Sequence, residues 1–208
     1  MNGLFPADGA LEKLPIEGAD VSYLASLDLG RSAAGLLQEL IDETPWRAEN
    51  VFIWGKSHPQ PRLIAWFGDA GQSYNYSGIK LDPLPWTPTL SEVRERVQKA
   101  SESSFNSVLL NYYRDHRDSM GFHSDDEPEL GERPSIASLS LGETRIFVMK
   151  AKTSKKTVRI PLESGSLLLM KGETQRNWKH GIEKLSRPCG PRVNLTFRNI
   201  RSRSQSGV

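Results

Sequence analysis

The chain has 208 residues, 37% of them hydrophobic, with 27 Lys and Arg against 25 Asp and Glu for a net charge of +2. That length suits one domain with its own core, and the small cationic excess permits a nucleic-acid partner without demanding one. No apolar run is long enough to span a bilayer, the N-terminus lacks the order of a signal peptide, and the single cysteine, Cys189, excludes an internal disulfide, so the expectation is an intracellular, unsecreted protein with no membrane partner.

Residues 1–20, rich in Gly, Pro and Ala, read as a loosely ordered arm, and the tail 201–208, RSRSQSGV, as a flexible basic end. SAAGLLQELIDET puts Ala33, Leu36, Leu37, Leu40 and Ile41 on one helix face, and Pro45 ends the helix. An aromatic stretch follows with Trp54, Trp66, Phe67, Tyr74 and Tyr76; DAG and SG interrupt it, which suggests hairpins or loops. TLSEVRERVQKA starts on a capping box, Thr89 to Glu92, and carries Leu90, Val93, Val97 and Ala100 as an apolar stripe. Beyond it NSVLLNYYR, SIASLSLG, TRIFVMK, KTVRIPL, GSLLLMK and RVNLTFRNI are short β-rich runs separated by turn residues. The expected fold is mostly β with flanking helices (α+β): a double-stranded β-helix, or jelly roll, over about 105–200, with the two helices buttressing one outer face.

His123 and Asp125 stand two apart in GFHSDDEPELG. On an extended strand their side chains point to the same side, within reach of one cation, although an isolated H-x-D is more often a surface loop. Of the other histidines, His58 lies beside Pro59 in a turn-like stretch and His116 in the charged turn RDHRD; both read as solvated. His180 in NWKHGI completes two histidines and a carboxylate, the facial triad of non-haem Fe(II) oxygenases. RVNLTFR places Arg192, Asn194, Thr196 and Arg198 on one face, either the wet side of a surface strand or a pocket where two arginines hold a dianion. Asn111 and Tyr113 share a face on LLNYYR. A metal group plus a dicarboxylate cradle is what a 2-oxoglutarate-dependent oxygenase requires.

NYYRDHRDSMGFHSDDEPELGERPSIASLSLGETRIF and PRVNLTFRNI resemble the AlkB family of Fe(II)/2-oxoglutarate-dependent nucleic-acid dealkylases. The resemblance covers roughly residues 50–200 and presents N-x-Y, H-x-D, a distal His and R-x-N-x-x-x-R in the family's order. IWGKSHPQPRLIAWFGDAGQSYNYSG resembles the substrate lid, about 50–80, of the branch that repairs methylated duplex DNA. KAKTSKKTV is basic but shorter than the loop with which that branch grips the opposite strand.

The resemblance implies one dioxygenase domain over 21–200, a monomer, in the cytoplasm of a bacterium or the nucleus of a eukaryote. It implies Fe(II) on His123, Asp125 and His180, and 2-oxoglutarate on Asn111, Tyr113, Arg192, Asn194 and Arg198. Arg192 and Tyr113 are implied at its distal carboxylate, Arg198 and Asn111 near the end that chelates iron. It implies substrate contacts from Asp126 and Glu127 at the flipped base, Trp54 as a wedge, Lys56 and Arg62 near the DNA, and Phe67, Tyr74 and Tyr76 in the lid. Trp66 and Trp178 read as packing residues. The implied reaction removes N-methyl groups from bases such as 1-methyladenine and 3-methylcytosine in DNA as formaldehyde, with 2-oxoglutarate and O2 consumed to succinate and CO2. RNA, a protein or a small molecule are the alternative substrates for the same iron chemistry.

Overall fold

The computed structural model describes residues 9–53, 56–70, 74–76, 79–81 and 83–201; of 51–53, 56–57, 74–76 and 79–81 it describes the backbone alone. In chain order the first half holds β1 (Glu12–Lys13), β2 (Asp20–Leu24), α1 (Ala33–Glu43), β3 (Asn50–Ile53), β4 (Lys56–Pro59), β5 (Leu63–Gly68), β6 (Tyr74–Tyr76), β7 (Ile79–Leu81) and α2 (Pro88–Ser101). The second half holds β8 (Ser107–Tyr113), β9 (Met120–His123), β10 (Ile136–Gly142), β11 (Arg145–Ala151), β12 (Thr157–Leu162), β13 (Leu167–Lys171), the one-turn helix α3 (Thr174–Asn177), β14 (Trp178–Ile182) and β15 (Arg192–Arg198).

The strands form a seven-stranded antiparallel sheet, β1-β2-β13-β10-β15-β8-β5, facing a four-stranded one, β12-β11-β14-β9. This is the jelly roll expected. Strand alternation explains the layers. Val193, Leu195 and Phe197 of β15 join Leu139 and Leu141 of β10 on the outer side of the large sheet, where they meet Leu36 and Leu40 of α1 and Val93 and Val97 of α2. The opposite phase faces the second sheet, where Ile136, Leu168 and Met170 meet Phe147, Met149, Ile160 and Ile182. The two helices therefore buttress the large sheet, as their apolar stripes require. Among the described residues no helix is long and apolar enough to cross a membrane.

Several expectations change. The arm is narrower than residues 1–20: β1 and β2 extend the sheet edge, and Leu14 and Ile16 are buried in the inner core. Arg201 is likewise tied down, its amide donating to Glu129 O, while 202–208 lie outside the described residues. Thr87, not Thr89, caps α2, because Pro88 takes the first helical position and the Thr87 hydroxyl accepts from the Leu90 amide; Thr89 instead donates to Glu39. The stretch 50–80 is not one continuous lid. β5 runs through it as the edge strand of the large sheet, between the hairpins β3–β4 and β6–β7. His58 sits on β4 rather than in a turn, though it is exposed as expected.

Candidate metal centre

β9 ends at His123, and the chain turns so that Asp125 follows beyond the strand; it is buried to 1% exposure. His180 lies on β14 and pairs across the sheet with His123. The strands approach closely there: a Cβ at Gly181 would stand 2.8 Å from Met120 O, so glycine beside His180 is what lets the two ligand-bearing strands meet. Asp125 Oδ1 is 3.7 Å from His123 Nε2, and Oδ2 is 3.6 Å from His180 Nε2. Two ligand atoms each about 2.0–2.2 Å from one ion are spaced by about 3–4 Å, so these separations suit a shared cation better than hydrogen bonds.

The hydrogen bonds agree. His123 Nδ1 is 3.0 Å from Gly121 O and donates there, which turns Nε2 toward the shared position. Burial, with the neighbouring His123, holds His180 down at about 3, neutral at physiological pH. Its Nδ1 is buried without a hydrogen-bond partner among the described residues, and the ring stacks on Phe147 at 5.0 Å. Burial resists ionisation of Asp125, but Arg198 and the two histidines outweigh it and hold the carboxyl at about 2. Arg198 Nη2 donates to Asp125 Oδ1 at 2.8 Å, and the Asp125 amide is held by Gln175 Oε1 at 3.0 Å. Two imidazole nitrogens and a carboxylate are a donor set that fits Fe(II).

The polar row of β15 faces this group. Arg192, Asn194, Thr196 and Arg198 line a cavity with Tyr113, His123, Asp125 and His180. The pocket reading of this strand therefore holds and the wet surface face does not. Arg192, 1% exposed, lies 5.1 Å from the centroid of the Tyr113 ring and donates to Ser140 Oγ, but Nε and Nη1 have no partner among the described residues. A buried guanidinium with two open donors and no acid beside it is shaped to receive a carboxylate. Asn111 pairs with Asn194 across β8 and β15, and its Nδ2 is buried and unpartnered. Asn194 is satisfied within the sheet: Nδ2 donates to Ser138 Oγ and Leu139 O, and Oδ1 accepts from Thr196.

The lid residues divide. Phe67 is buried in the outer core against the helices, the opposite phase of β5 from Ile64 and Trp66, so it does not face the cavity; Trp66 and Trp178 are packed as expected. Arg62 is 5% exposed, and its Nε donates to Asn111 Oδ1 at 2.8 Å, so it braces a cradle residue from inside instead of presenting itself to DNA. Asp126 is exposed beside Lys152, and Glu127 is half-buried one residue on. Trp54 and the side chains of Lys56, Tyr74 and Tyr76 lie outside the described residues.

Sequence reading missed Gln175, whose side chain reaches the metal group from a one-turn helix no periodicity announces. It also missed Arg145. The signal there was phase: Arg145, Phe147 and Met149 alternate on the inward side of β11, where a charge is out of place.

The chain matches the 2OG-Fe(II) oxygenase superfamily over residues 22–198. It is 42% identical over 188 residues to "Alpha-ketoglutarate-dependent dioxygenase alkB homolog 3" of Mus musculus, covering 86% of this chain and 65% of that protein, just under two thirds. It is 39% identical over 211 residues to "DNA oxidative demethylase ALKBH2" of Homo sapiens, covering 96% of this chain and 80% of the relative. Among solved structures, "The structure of OsALKBH1" shares the fold with a TM-score of 0.60 at 20% identity, covering 86% of this chain and 97% of that one. With a His-Asp-His group at the heart of a jelly roll and relatives this similar across most of its length, the chain belongs to the 2OG-Fe(II) oxygenase superfamily and to its AlkB family.

Proposed function

We propose that the protein oxidatively demethylates N-alkylated bases such as 1-methyladenine and 3-methylcytosine in DNA, releasing formaldehyde while 2-oxoglutarate and O2 become succinate and CO2. The observation that carries this reading is the His123–Asp125–His180 group beside the open donors of Arg192 in one cavity. Bound Fe(II), with 2-oxoglutarate and O2, supplies the oxidising power to hydroxylate an N-methyl group, and the hydroxymethyl amine so formed breaks down to formaldehyde and the free base. The chain's own residues bind and orient. His123, Asp125 and His180 would hold the ion, and Arg198 with the two histidines keeps Asp125 ionised against its burial. Arg192 and Tyr113 take the distal carboxylate of 2-oxoglutarate, and Asn111 Nδ2 offers a further donor. The cavity lies between the sheets, so a base must leave its stack to reach it. Asp126 and Glu127 follow the metal ligand directly and favour a base that methylation has made cationic.

The human relative, named a DNA oxidative demethylase, supports DNA as the polymer. The test is incubation with methylated single-stranded DNA, duplex DNA and RNA, following methyl loss and succinate together. Methyl loss from DNA is expected. Demethylation of RNA alone would transfer the reading to RNA, and succinate without turnover of any polymer would remove the repair function while leaving the oxygenase.

A further inference from the structure

Arg145 is buried to 1% exposure at the first position of β11. No carboxylate lies within 4 Å of its guanidinium among the described residues. Nη2 donates to Asp118 O at 2.9 Å and Glu183 O at 2.7 Å, and Nη1 reaches Asp115 O at 3.4 Å. It thereby pins the turn after β8 to the segment after β14, while Nε has no partner among the described residues. Its head group lies 5.7 Å from the centroid of the Tyr113 ring, and Arg192 lies 5.1 Å from the same centroid. Two buried cations thus share one aromatic ring, held by carbonyls and a hydroxyl, with no carboxylate within 4 Å of either among the described residues. A buried, uncompensated charge is costly unless function uses it. The positive charge of Arg145 adds to burial in making the Arg192 cation harder to hold, a strain that an arriving carboxylate relieves.

We propose that Arg145 is a positioning residue of the cradle: it fixes Tyr113 and the turn behind it, and supplies a second positive charge that makes the site select 2-oxo acids bearing a distal carboxylate. This rests on the reading of Arg192 and Tyr113 as the distal-carboxylate site. Like charges placed behind one ring have no value to a monocarboxylate, whose tail carries nothing for them to attract.

The test compares 2-oxoglutarate with 2-oxopentanoate, which has the same chain length and no distal carboxylate, by calorimetry on the Fe(II)-loaded full chain without O2. Wild type should prefer 2-oxoglutarate. Arg145→Gln should weaken 2-oxoglutarate by about tenfold or more, the scale of a lost charge-assisted contact, and 2-oxopentanoate by less than about twofold. Should Arg145→Gln fail to fold, the ratio is read in Arg145→Lys, which keeps the charge but not the three-carbonyl fork and should lose part of the selectivity. Equal weakening of both acids would reduce Arg145 to a structural residue, and unchanged affinity for both would remove it from the cradle. A wild type that binds both acids alike would instead sink the cradle itself, whatever Arg145 does.

Discussion

Arg198 Nη2 donates to Asp125 Oδ1 at 2.8 Å, while Arg192, six residues earlier on the same face of β15, keeps two donors open. One strand therefore carries two arginines with different tasks. Arg198 is tied to the metal group, and burial, which resists ionisation of Asp125, is outweighed by Arg198 together with the two histidines. Arg192 packs on Tyr113 and donates to Ser140, and its two remaining donors, without a partner among the described residues, are the ones proposed to take the cosubstrate carboxylate.

Arg198→Met should weaken Fe(II) binding by about 10–100-fold, the range for removing a partner of a metal ligand. Anaerobic Fe(II) titration measures it. An unchanged affinity would mean that Asp125 is held by its fold alone.

Gln175→Ala should lower Fe(II) affinity less, because it frees the Asp125 amide and not its carboxylate. Leaving that buried N–H without an acceptor should also cost about 1–3 kcal/mol of stability. Denaturant unfolding and metal titration on the same variant separate the two effects; loss of neither would show that the contact is incidental.

Phe67→Ala should destabilise the fold by about 3–5 kcal/mol, as for a large aromatic removed from a core. Phe67→Leu, which keeps most of the volume, should leave affinity for methylated DNA unchanged. A fall in DNA affinity with the Leu variant would return Phe67 to the substrate side.

The metal-free protein should lose stability as pH falls from about 6.5 toward 3. In that interval the unfolded chain binds a proton at His180 that the buried, neutral imidazole does not, so stability rises with pH and the contribution is complete above 6.5. Asp125 adds a second loss lower down, between its ordinary 3.8 and about 2. Calorimetric melting across pH should show His180→Gln flattening the upper part of this slope; an unaltered slope would assign it to other groups.

Trp54→Ala should reduce demethylation of duplex DNA several-fold more than that of single strands, since only the duplex needs a residue to fill the gap behind a flipped base. Kinetics on matched duplex and single-strand substrates check this. Equal losses would make Trp54 a packing residue.

The sequence by itself pointed to the jelly roll, the two buttressing helices and the phase of the polar row on β15, and its resemblance to a known family named the three candidate metal ligands. The helices and the polar row are properties of local spacing: alternation assigns Arg192, Asn194, Thr196 and Arg198 to one face whatever the strand packs against. Tertiary structure alone decided which way that face points, that Phe67 faces the helices and that Arg62 turns inward to Asn111. It also brought Gln175 to the Asp125 amide and Arg145 to Tyr113, contacts between residues 50 and 32 positions apart. Spacing along a chain carries no information about partners that distant. They meet because two sheets close face to face and bury whatever lies on their inner phase, so a charge placed there must find carbonyls, a metal ligand or a cosubstrate.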